Sequence, residues 1–541
     1  VRGEEAVDRE RLSVLSGLAV RRNGTLMNPY LGEAYACAVV TTTYALACDE
    51  PLSPRAHSAQ TLAYWFGKNG AMSGRERYRR AARPSHLSRY PMETVRRVAR
   101  PTTLILDDEV PRVSKRAAFF ERALQGDLGK KALGERSRFA TKHPMSLSQT
   151  KIIRAMVPYQ DGDVAEPEAP ERYRDPKRNA EAIKSLSYFL GSDLTGICEI
   201  PHYAWNSHHQ DGRPIEPYHR YAVVMLIDQG YDTMEGASGD DWISGAQSMR
   251  GYLRGAEIAG IMAEHLRGLG FPARSQTNAD SDLEHIPLIL WAGLGELSRI
   301  GELVLNPFVG PRFKSVVLTT DMPLEPDQPI DFGLQYFCEN CYKCARECPC
   351  DAIPFGDKVM YNGYEIWKPD VERCTRYRLT NAKGSACGRC MKTCPLNKIV
   401  DLDGSLMTRA ASWLGINAMW LKPVMVPIAT RLDDKLGNGR RNLVKKWWFD
   451  LEVIDGVAVP PPKGANEREI DPARPTDPDK QKIAYYHADA MPPPNLLEPF
   501  PVDRKQALTA AAVLETPADA KARHQSGGMA PTHYTPTKES S

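Results

Sequence analysis

Cys338-Glu339-Asn340-Cys341-Tyr342-Lys343-Cys344-Ala345-Arg346-Glu347-Cys348-Pro349 spaces four cysteines as C-x2-C-x2-C-x3-C-P, and Cys387-Gly388-Arg389-Cys390-Met391-Lys392-Thr393-Cys394-Pro395 repeats the second half of that run. Cys374, between the two runs, completes a set of eight. A zinc ribbon uses C-x2-C pairs without a third cysteine and a trailing Cys-Pro, and disulfides leave so tight a run geometrically awkward. The spacing is that of two cubane [4Fe-4S] clusters, in which the fourth cysteine of each run ligates the other centre. Cys338, Cys341, Cys344 and Cys394 are therefore assigned to one centre, and Cys387, Cys390, Cys348 and Cys374 to the other. The chain is predicted to move electrons one at a time. Cys350, one residue past a Cys-Pro, reads as a bystander, and Cys37, Cys48 and Cys198 read as isolated small apolar residues.

The 541 residues suffice for three or four domains, and 42% apolar against 25% charged residues is ordinary for a globular protein. A net formal charge of +3 speaks against a dedicated nucleic-acid binder or a membrane-surface protein. Arg21-Arg22 is followed by Asn23, Gly24 and Thr25, where a twin-arginine signal needs a long apolar region. The most apolar stretch, Trp413 to Ile428, is interrupted by Asn417, Lys422, Pro423 and Pro427 and is too short to cross a bilayer. It reads as a broken helix packed on the protein, with Trp413, Trp420, Trp447 and Trp448 in the core. Reduced cysteines and the absence of a visible export signal point to the cytoplasm.

Away from the cysteines, Ala38 to Tyr44 and Thr102 to Leu106 read as strands between helical patterns, and Asp161 to Arg174, rich in proline and acid, reads as a linker. Tyr221 to Ile227 is a strongly apolar strand that faintly echoes Ala36 to Tyr44, so residues 1–165 are expected to form a mixed α/β domain, a degenerate duplicate of the central domain. From Ser248 the pattern turns helical: Met249, Tyr252, Ala256, Ala259, Ala263 and Leu266 recur at three and four, and Gly268 and Gly270 end it. The small stripe of Ala256, Ala259, Gly260 and Ala263 suits close packing on another backbone or on a flat ligand.

Ala292 to Gly301 (A-G-L-G-E-L-S-R-I-G) reads as a glycine-bearing turn, followed by Gly310-Pro311 and a strand from Ser315 to Thr320. Ser298 stands where a dinucleotide fingerprint needs its third glycine, and no acidic residue follows about twenty positions on. A backbone cradle for the amides and phosphate of another cofactor, built on Gly293, Gly295, Leu297, Ser298 and Gly301, is the better reading. After the cysteines, Asp401 to Glu452 looks helical and aromatic. Proline and charge dominate beyond Pro460, an arm of the kind that wraps a surface or joins a partner, and the last thirty residues have the composition of a disordered tail.

Taken together, A-G-L-G-E-L-S-R-I-G, G-P-R-F-K-S-V-V-L-T-T-D-M-P-L-E-P-D, C-E-N-C-Y-K-C-A-R-E-C-P and C-G-R-C-M-K-T-C-P-L-N resemble the cobalamin-dependent reductive dehalogenases, closely over Tyr221 to Lys398 and loosely elsewhere. The non-respiratory, cytoplasmic subgroup is the nearer likeness, and epoxyqueuosine reductase, which acts on tRNA, is the rival. The resemblance implies an α+β fold: a nitroreductase-like cobalamin-binding core over 166–330, a bacterial ferredoxin-like double [4Fe-4S] module over 331–400, the extra N-terminal domain over 1–165 and a C-terminal extension over 401–541. It implies cobalamin with its base off cobalt. The histidine motif D-x-H-x-x-G of other corrinoid proteins is absent here, since Ser207 stands where its Asp would precede His209.

The resemblance also implies three catalytic residues. Tyr252 would donate the proton. A phenol has an ordinary pKa of about 10, and a cation beside it favours the phenolate; Lys314 matches the family's lysine for that task. Arg378, in C-T-R-Y-R, would grip an anionic substrate group through paired donors. The expected substrates are halogenated phenols or hydroxybenzoates, the expected electron source is a separate low-potential ferredoxin or flavin reductase, and neither nucleic acid nor membrane is expected as a partner.

Overall fold

The computed structural model describes residues 83–136, 143–166, 170–237, 242–381, 387–401, 404–440, 470–510 and 514–531, with parts of 8–49 and 452–459. The chain divides into two compact units, Val1–Pro84 and Ser85–Ser541. In the first, a short helix, Arg9–Leu15, is capped by Asp8, which accepts from the Arg11 N–H, and a hairpin pairs Val20–Arg22 with Thr25–Met27. Residues 38–40 form no strand, and Thr41, Thr43 and Tyr44 of the anticipated strand lie outside the described residues.

The second unit is built on a helix α1 (Pro144–Ala155), α2 (Pro176–Phe189), strands β1 (Leu194–Glu199) and β2 (Tyr221–Asp228), the long helix α3 (Trp242–Gly268), β3 (Ala273–Gln276), α4 (His285–Trp291), a hairpin of β4 (Glu296–Ser298) and β5 (Gly301–Leu305), and β6 (Phe313–Thr320). Four strands form one antiparallel sheet in the order β1-β2-β6-β3, with Ile227 of β2 opposite Lys314 of β6. Both faces are covered, which is why β2 reads as an unbroken apolar run instead of alternating. Val223, Met225 and Ile227 pack with Ile258, Ala259, Met262 and Ala263 of α3. Ala222, Val224 and Leu226 face a larger core that holds Leu288 and Ile289 of α4 together with Cys338, Cys341, Cys344, Cys348 and Cys394.

The small residues of α3 thus serve helix packing. Ala256, Ala259 and Ala263 are buried against the sheet, and a Cβ at Gly251 or Gly255 would press on Lys314 or Val316. α3 begins earlier than its sequence pattern suggests, at Trp242, because α1 packs beside it.

The cysteine segment continues as α5 (Leu334–Asn340), α6 (Lys343–Arg346), α7 (Val371–Thr380) and α8 (Arg389–Thr393), then α9 (Leu406–Asn417) and α10 (Lys422–Lys435). α11 (Arg504–Ala510) and α12 (Pro517–Gln525) end the described chain.

The expected boundaries near 165, 330 and 400 do not appear as breaks in packing. Arg96–Arg97 pairs with Ile330–Asp331, α1 packs on α3, and the cysteines share a core with the sheet. Thr102 to Leu106 is not a strand: only Ile105 bridges, to Tyr364, and Leu106 leads straight into a helical turn at Asp107–Glu109.

The proline-rich arm is a strap. Arg474 donates to the carbonyls of Arg346 and Cys348, the Asp471 N–H donates to Glu347, Gln481 donates to Ile353 O and accepts from Phe355 N, and Arg504 pairs with Asp370 and Glu372. Of the expected disordered tail, residues 514–531 are described and carry a helix: Thr516 caps α12, Ala520 is buried, and Arg523 pairs with Glu109 and Glu515. Its polar composition reflects ion pairing of Arg523 and His524 with Glu109, Glu515 and Asp108, which composition alone does not distinguish from solvation. The broken helix resolves into α9 and α10, yet Trp413 and Trp420 are 63% and 78% exposed, against the core placement expected of them. Trp447 and Trp448 lie outside the described residues. No helix among the described residues is long and apolar enough to cross a membrane.

Candidate functional site

The first cysteine set converges. Cys338 at the end of α5, Cys341 between the helices, Cys344 in α6 and Cys394 after α8 line one cavity, together with Ser298, Arg299, Ile300, Leu305, Phe337 and Pro395. All four are buried. Burial pushes the Cys338 thiol up to about 12 and the Cys341 thiol to about 11. Burial, then the charges of Cys338, Cys341 and Cys394, hold Cys344 well above the ordinary thiol range. Thiols so placed are poor free nucleophiles, and binding a cluster there releases protons.

The second set is looser. Cys348 is buried, whereas Cys374, Cys387 and Cys390 are half-buried. Burial, then the charges of Cys387, Cys348 and Cys374, raise the Cys390 thiol, which brings those four into one neighbourhood. Cys350 joins them: its sulfur lies 3.8 Å from that of Cys348. A hydrogen bond from Cys350 draws Cys348 down to about 6, and the same bond, with burial, raises Cys350. Cys348 is the ready thiolate of the pair. Among the described residues no three donors are grouped to hold a single metal ion. Cys338, Cys341, Cys344 and Cys394 around one cavity are the kind of four-sulfur donor set in which each thiolate of a cluster holds its own iron.

The structure brings Tyr252 and Lys314 together. Lys314, on β6, sets its ammonium 4.8 Å from the centroid of the Tyr252 ring in α3, a cation–π arrangement made possible because Gly251 leaves room for the lysine stem. Arg378 has a different setting. On α7, the helix of Cys374, its guanidinium lies 4.8 Å from the Phe120 ring centroid, and its charge opposes the burial that raises the Cys374 thiol.

A relay of buried polar groups ties the first cysteine set to the strand of Lys314. Arg312 donates through Nε and one terminal nitrogen to the two carboxylate oxygens of Asp228 at 2.8 and 3.0 Å, and through the other terminal nitrogen to Asn397 Oδ1 at 3.0 Å, just past Cys394-Pro395. Asn397 in turn donates to Glu235. Gly310 lies so close to the Leu396 carbonyl that a Cβ would collide with it.

The glycines of the turn sit where other parts of the chain come close. A Cβ at Gly293 would meet Gln328 O, at Gly295 Leu305 O, and at Gly301 Pro369 and Trp367 O, so protein fills the space beside all three. Leu297 and Ser298 are buried, with the Ser298 hydroxyl donating to Leu303 O. Through Ser298 the turn also forms a wall of the four-cysteine cavity.

Over 96% of its length the chain superposes on the catabolic reductive dehalogenase NpRdhA, covering 74% of that chain, with a TM-score of 0.88 and 53% sequence identity. The chain belongs to the reductive dehalogenases. The same relative in complex with 3-bromo-4-hydroxybenzoic acid matches at 52% identity and a TM-score of 0.87, over 96% of this chain and 75% of that one. The tetrachloroethene reductive dehalogenase of Sulfurospirillum multivorans is 34% identical over 195 residues, which is 34% of this chain and 36% of that enzyme's length. Epoxyqueuosine reductase of Escherichia coli is 29% identical over 130 residues, 21% of this chain and 30% of its own. No protein-family model matches the chain.

Two residues of this dehalogenase's site escaped the sequence reading. Arg299 and Arg312 both lie inside the segments that carry the family likeness, A-G-L-G-E-L-S-R-I-G and G-P-R-F-K. An arginine among apolar and glycine residues was the available signal, since an interior arginine must be paired or carry a task.

Proposed function

We propose that this chain catalyses the reductive removal of halide from halogenated phenols or hydroxybenzoates, taking two electrons through two [4Fe-4S] clusters to a base-off cobalamin. The observation that carries the reading is the Lys314 ammonium over the Tyr252 ring, in a chain that shares 53% identity with a catabolic reductive dehalogenase. The helix-covered antiparallel sheet would be the nitroreductase-like corrinoid core, and the two cysteine sets the ferredoxin-like module. When bound, cobalamin would supply a strongly reducing cobalt for cleavage of the carbon–halogen bond. His208 lies 3.0 Å from Ser207 Oγ and His209 lies 3.3 Å from Asp282, so both are engaged by protein, in keeping with a cobalt that takes no ligand from this stretch.

The net change adds two electrons and one proton to the aryl halide and releases halide. Tyr252 donates its phenolic proton to the carbon that loses halogen, and Lys314 stabilises the phenolate left behind. Arg378 reads the carboxylate or phenolate of the substrate; its support is the family motif, and to do so its guanidinium must leave or share the Phe120 ring. Cys338, Cys341, Cys344 and Cys394 hold one cluster, and Cys348, Cys374, Cys387 and Cys390 the other. A separate low-potential ferredoxin or flavin reductase delivers the electrons.

The relative's complex with 3-bromo-4-hydroxybenzoic acid supports that substrate class. The tRNA-directed alternative is not favoured: its relative matches a fifth of the chain, and a net charge of +3 gives little attraction for polyanions. The test is bromide release from 3-bromo-4-hydroxybenzoate by anaerobically reconstituted protein. Tyr252→Phe is expected to lower turnover by roughly 10²–10⁴-fold with bound iron and corrinoid unchanged. Wild-type rates in that variant would remove Tyr252 from the chemistry.

A further inference from the structure

Arg299 is 2% exposed and lines the cavity of the first cysteine set. Its Nε donates to the carbonyl of Cys338 at 2.7 Å, and one terminal nitrogen donates to the carbonyls of Pro354, Phe355 and Gly356 at 3.1, 3.1 and 2.9 Å. The rings of Tyr342 and Trp367 stack on it, with centroids 4.4 and 4.8 Å from its central carbon. Among the described residues no carboxylate pairs with it. Arg312, by contrast, has Asp228 beside it. Four carbonyls and two ring faces satisfy the geometry of a guanidinium without cancelling its charge.

We propose that Arg299 is the fixed positive charge that sets the reduction potential of the centre held by Cys338, Cys341, Cys344 and Cys394. This rests on the cluster reading of the proposed function. One-electron reduction makes a cluster more negative by one unit, and its potential responds to nearby charge and to solvent exposure. A cation held against the cavity wall, where water is excluded and screening is weak, favours the reduced form. Other charges facing the same cysteine are Lys422, whose ammonium donates to Phe332 O at 2.6 Å, and Glu296, which accepts from the N–H groups of Phe332 and Leu334 and from Thr102. At Cys341, Lys343 pairs with Asp433 and Asp434, and Arg346 with Asp434 and Glu347, so among the described residues Arg299 is the cation lining this cavity that has no carboxylate of its own. The consequence is that transfer of an electron from the second centre to the first is more favourable with Arg299 in place than without it.

The test is an EPR-monitored redox titration of reconstituted holoprotein, read at both centres. Arg299→Gln, which keeps amide donors but removes the charge, is expected to disfavour reduction of the first centre by tenfold or more, a negative shift of at least about 59 mV for one electron, with the second centre moving by less than threefold. Arg299→Lys, which keeps the charge, is expected to hold the first centre within threefold of wild type. An unmoved first centre in Arg299→Gln, or a tenfold loss in Arg299→Lys, overturns the assignment. If Arg299→Gln fails to assemble the centre, Arg299→Lys decides alone by the same criterion. A wild type that holds only one titrating centre would instead overturn the cluster reading, and the role of Arg299 with it.

Discussion

The two cysteine sets share a spacing motif and differ in everything around it. The first is buried on all sides, walled by the β4–β5 hairpin and a caged guanidinium, and tied through Asn397 and Arg312 to the strand of Lys314. The second keeps three of its four cysteines half-buried, has a fifth sulfur at hand in Cys350, and lies under the C-terminal strap. Such unequal surroundings imply a direction. A centre joined to the Tyr252–Lys314 pair by buried polar links is suited to pass electrons on, and a centre near the surface to receive them.

The most severe challenge to that contrast is to remove one sulfur from each set. Cys341→Ser and Cys374→Ser are each expected to lose roughly half of the bound iron and all halide release, with Cys341→Ser also lowering the thermal midpoint more, because its cavity sits in the main core. Cys350→Ser should retain full iron. Full iron in Cys374→Ser combined with loss in Cys350→Ser would exchange the two residues in the second set. Next in size is the link between the first set and the catalytic strand. Arg312→Ala leaves Asp228 with Arg89 at 4.0 Å as its remaining cation and is expected to cost about 1–3 kcal/mol of stability, measured by denaturant unfolding, and to reduce kcat while both iron centres remain.

Smaller effects probe the contrast from the second set's side. Arg378→Ala is expected to raise KM for anionic halophenols by roughly 10–100-fold, the value of a hydrogen bond to a charged group, and to leave neutral substrates nearly unchanged. An equal effect on both would show that Arg378 acts on Cys374 and Cys387 alone. Arg474→Ala, in the strap, should cost no more than about 1 kcal/mol as a partly exposed ion pair with Asp351, yet is expected to hasten loss of iron from the second centre on exposure to air. Unchanged kinetics of iron loss would mean that the strap is not what covers it.

Much of this contrast was legible in the sequence, and the reasons it was incomplete are physical. Cysteine spacing is a local constraint, so the partition into Cys338, Cys341, Cys344 and Cys394 against the rest could be read directly and is matched by the cavity. β2 was legible because an apolar run buried on both faces has no competing reading, and Tyr252 with Lys314 because the family motif carried both. Glycine marks close approach without saying what approaches, so the neighbours of the glycine turn, the carbonyls of Gln328 and Leu305 and the ring of Pro369, were not legible. Domain boundaries were invisible because Arg96–Arg97 reaches across more than two hundred residues to pair with Ile330–Asp331, a contact with no local signature. Trp413 and Trp420 were assigned to the core by residue type, but Trp413 is on an exposed position of α9 and Trp420 in the exposed turn Met419–Leu421 between α9 and α10.

The strap carries one further meaning, in the order of synthesis. Residues 470–510 are made after every cysteine has left the ribosome, and they are the residues whose donors close over Arg346, Cys348 and Ile353. During translation the cysteine loops are therefore complete while the donors of that cover are still to be made.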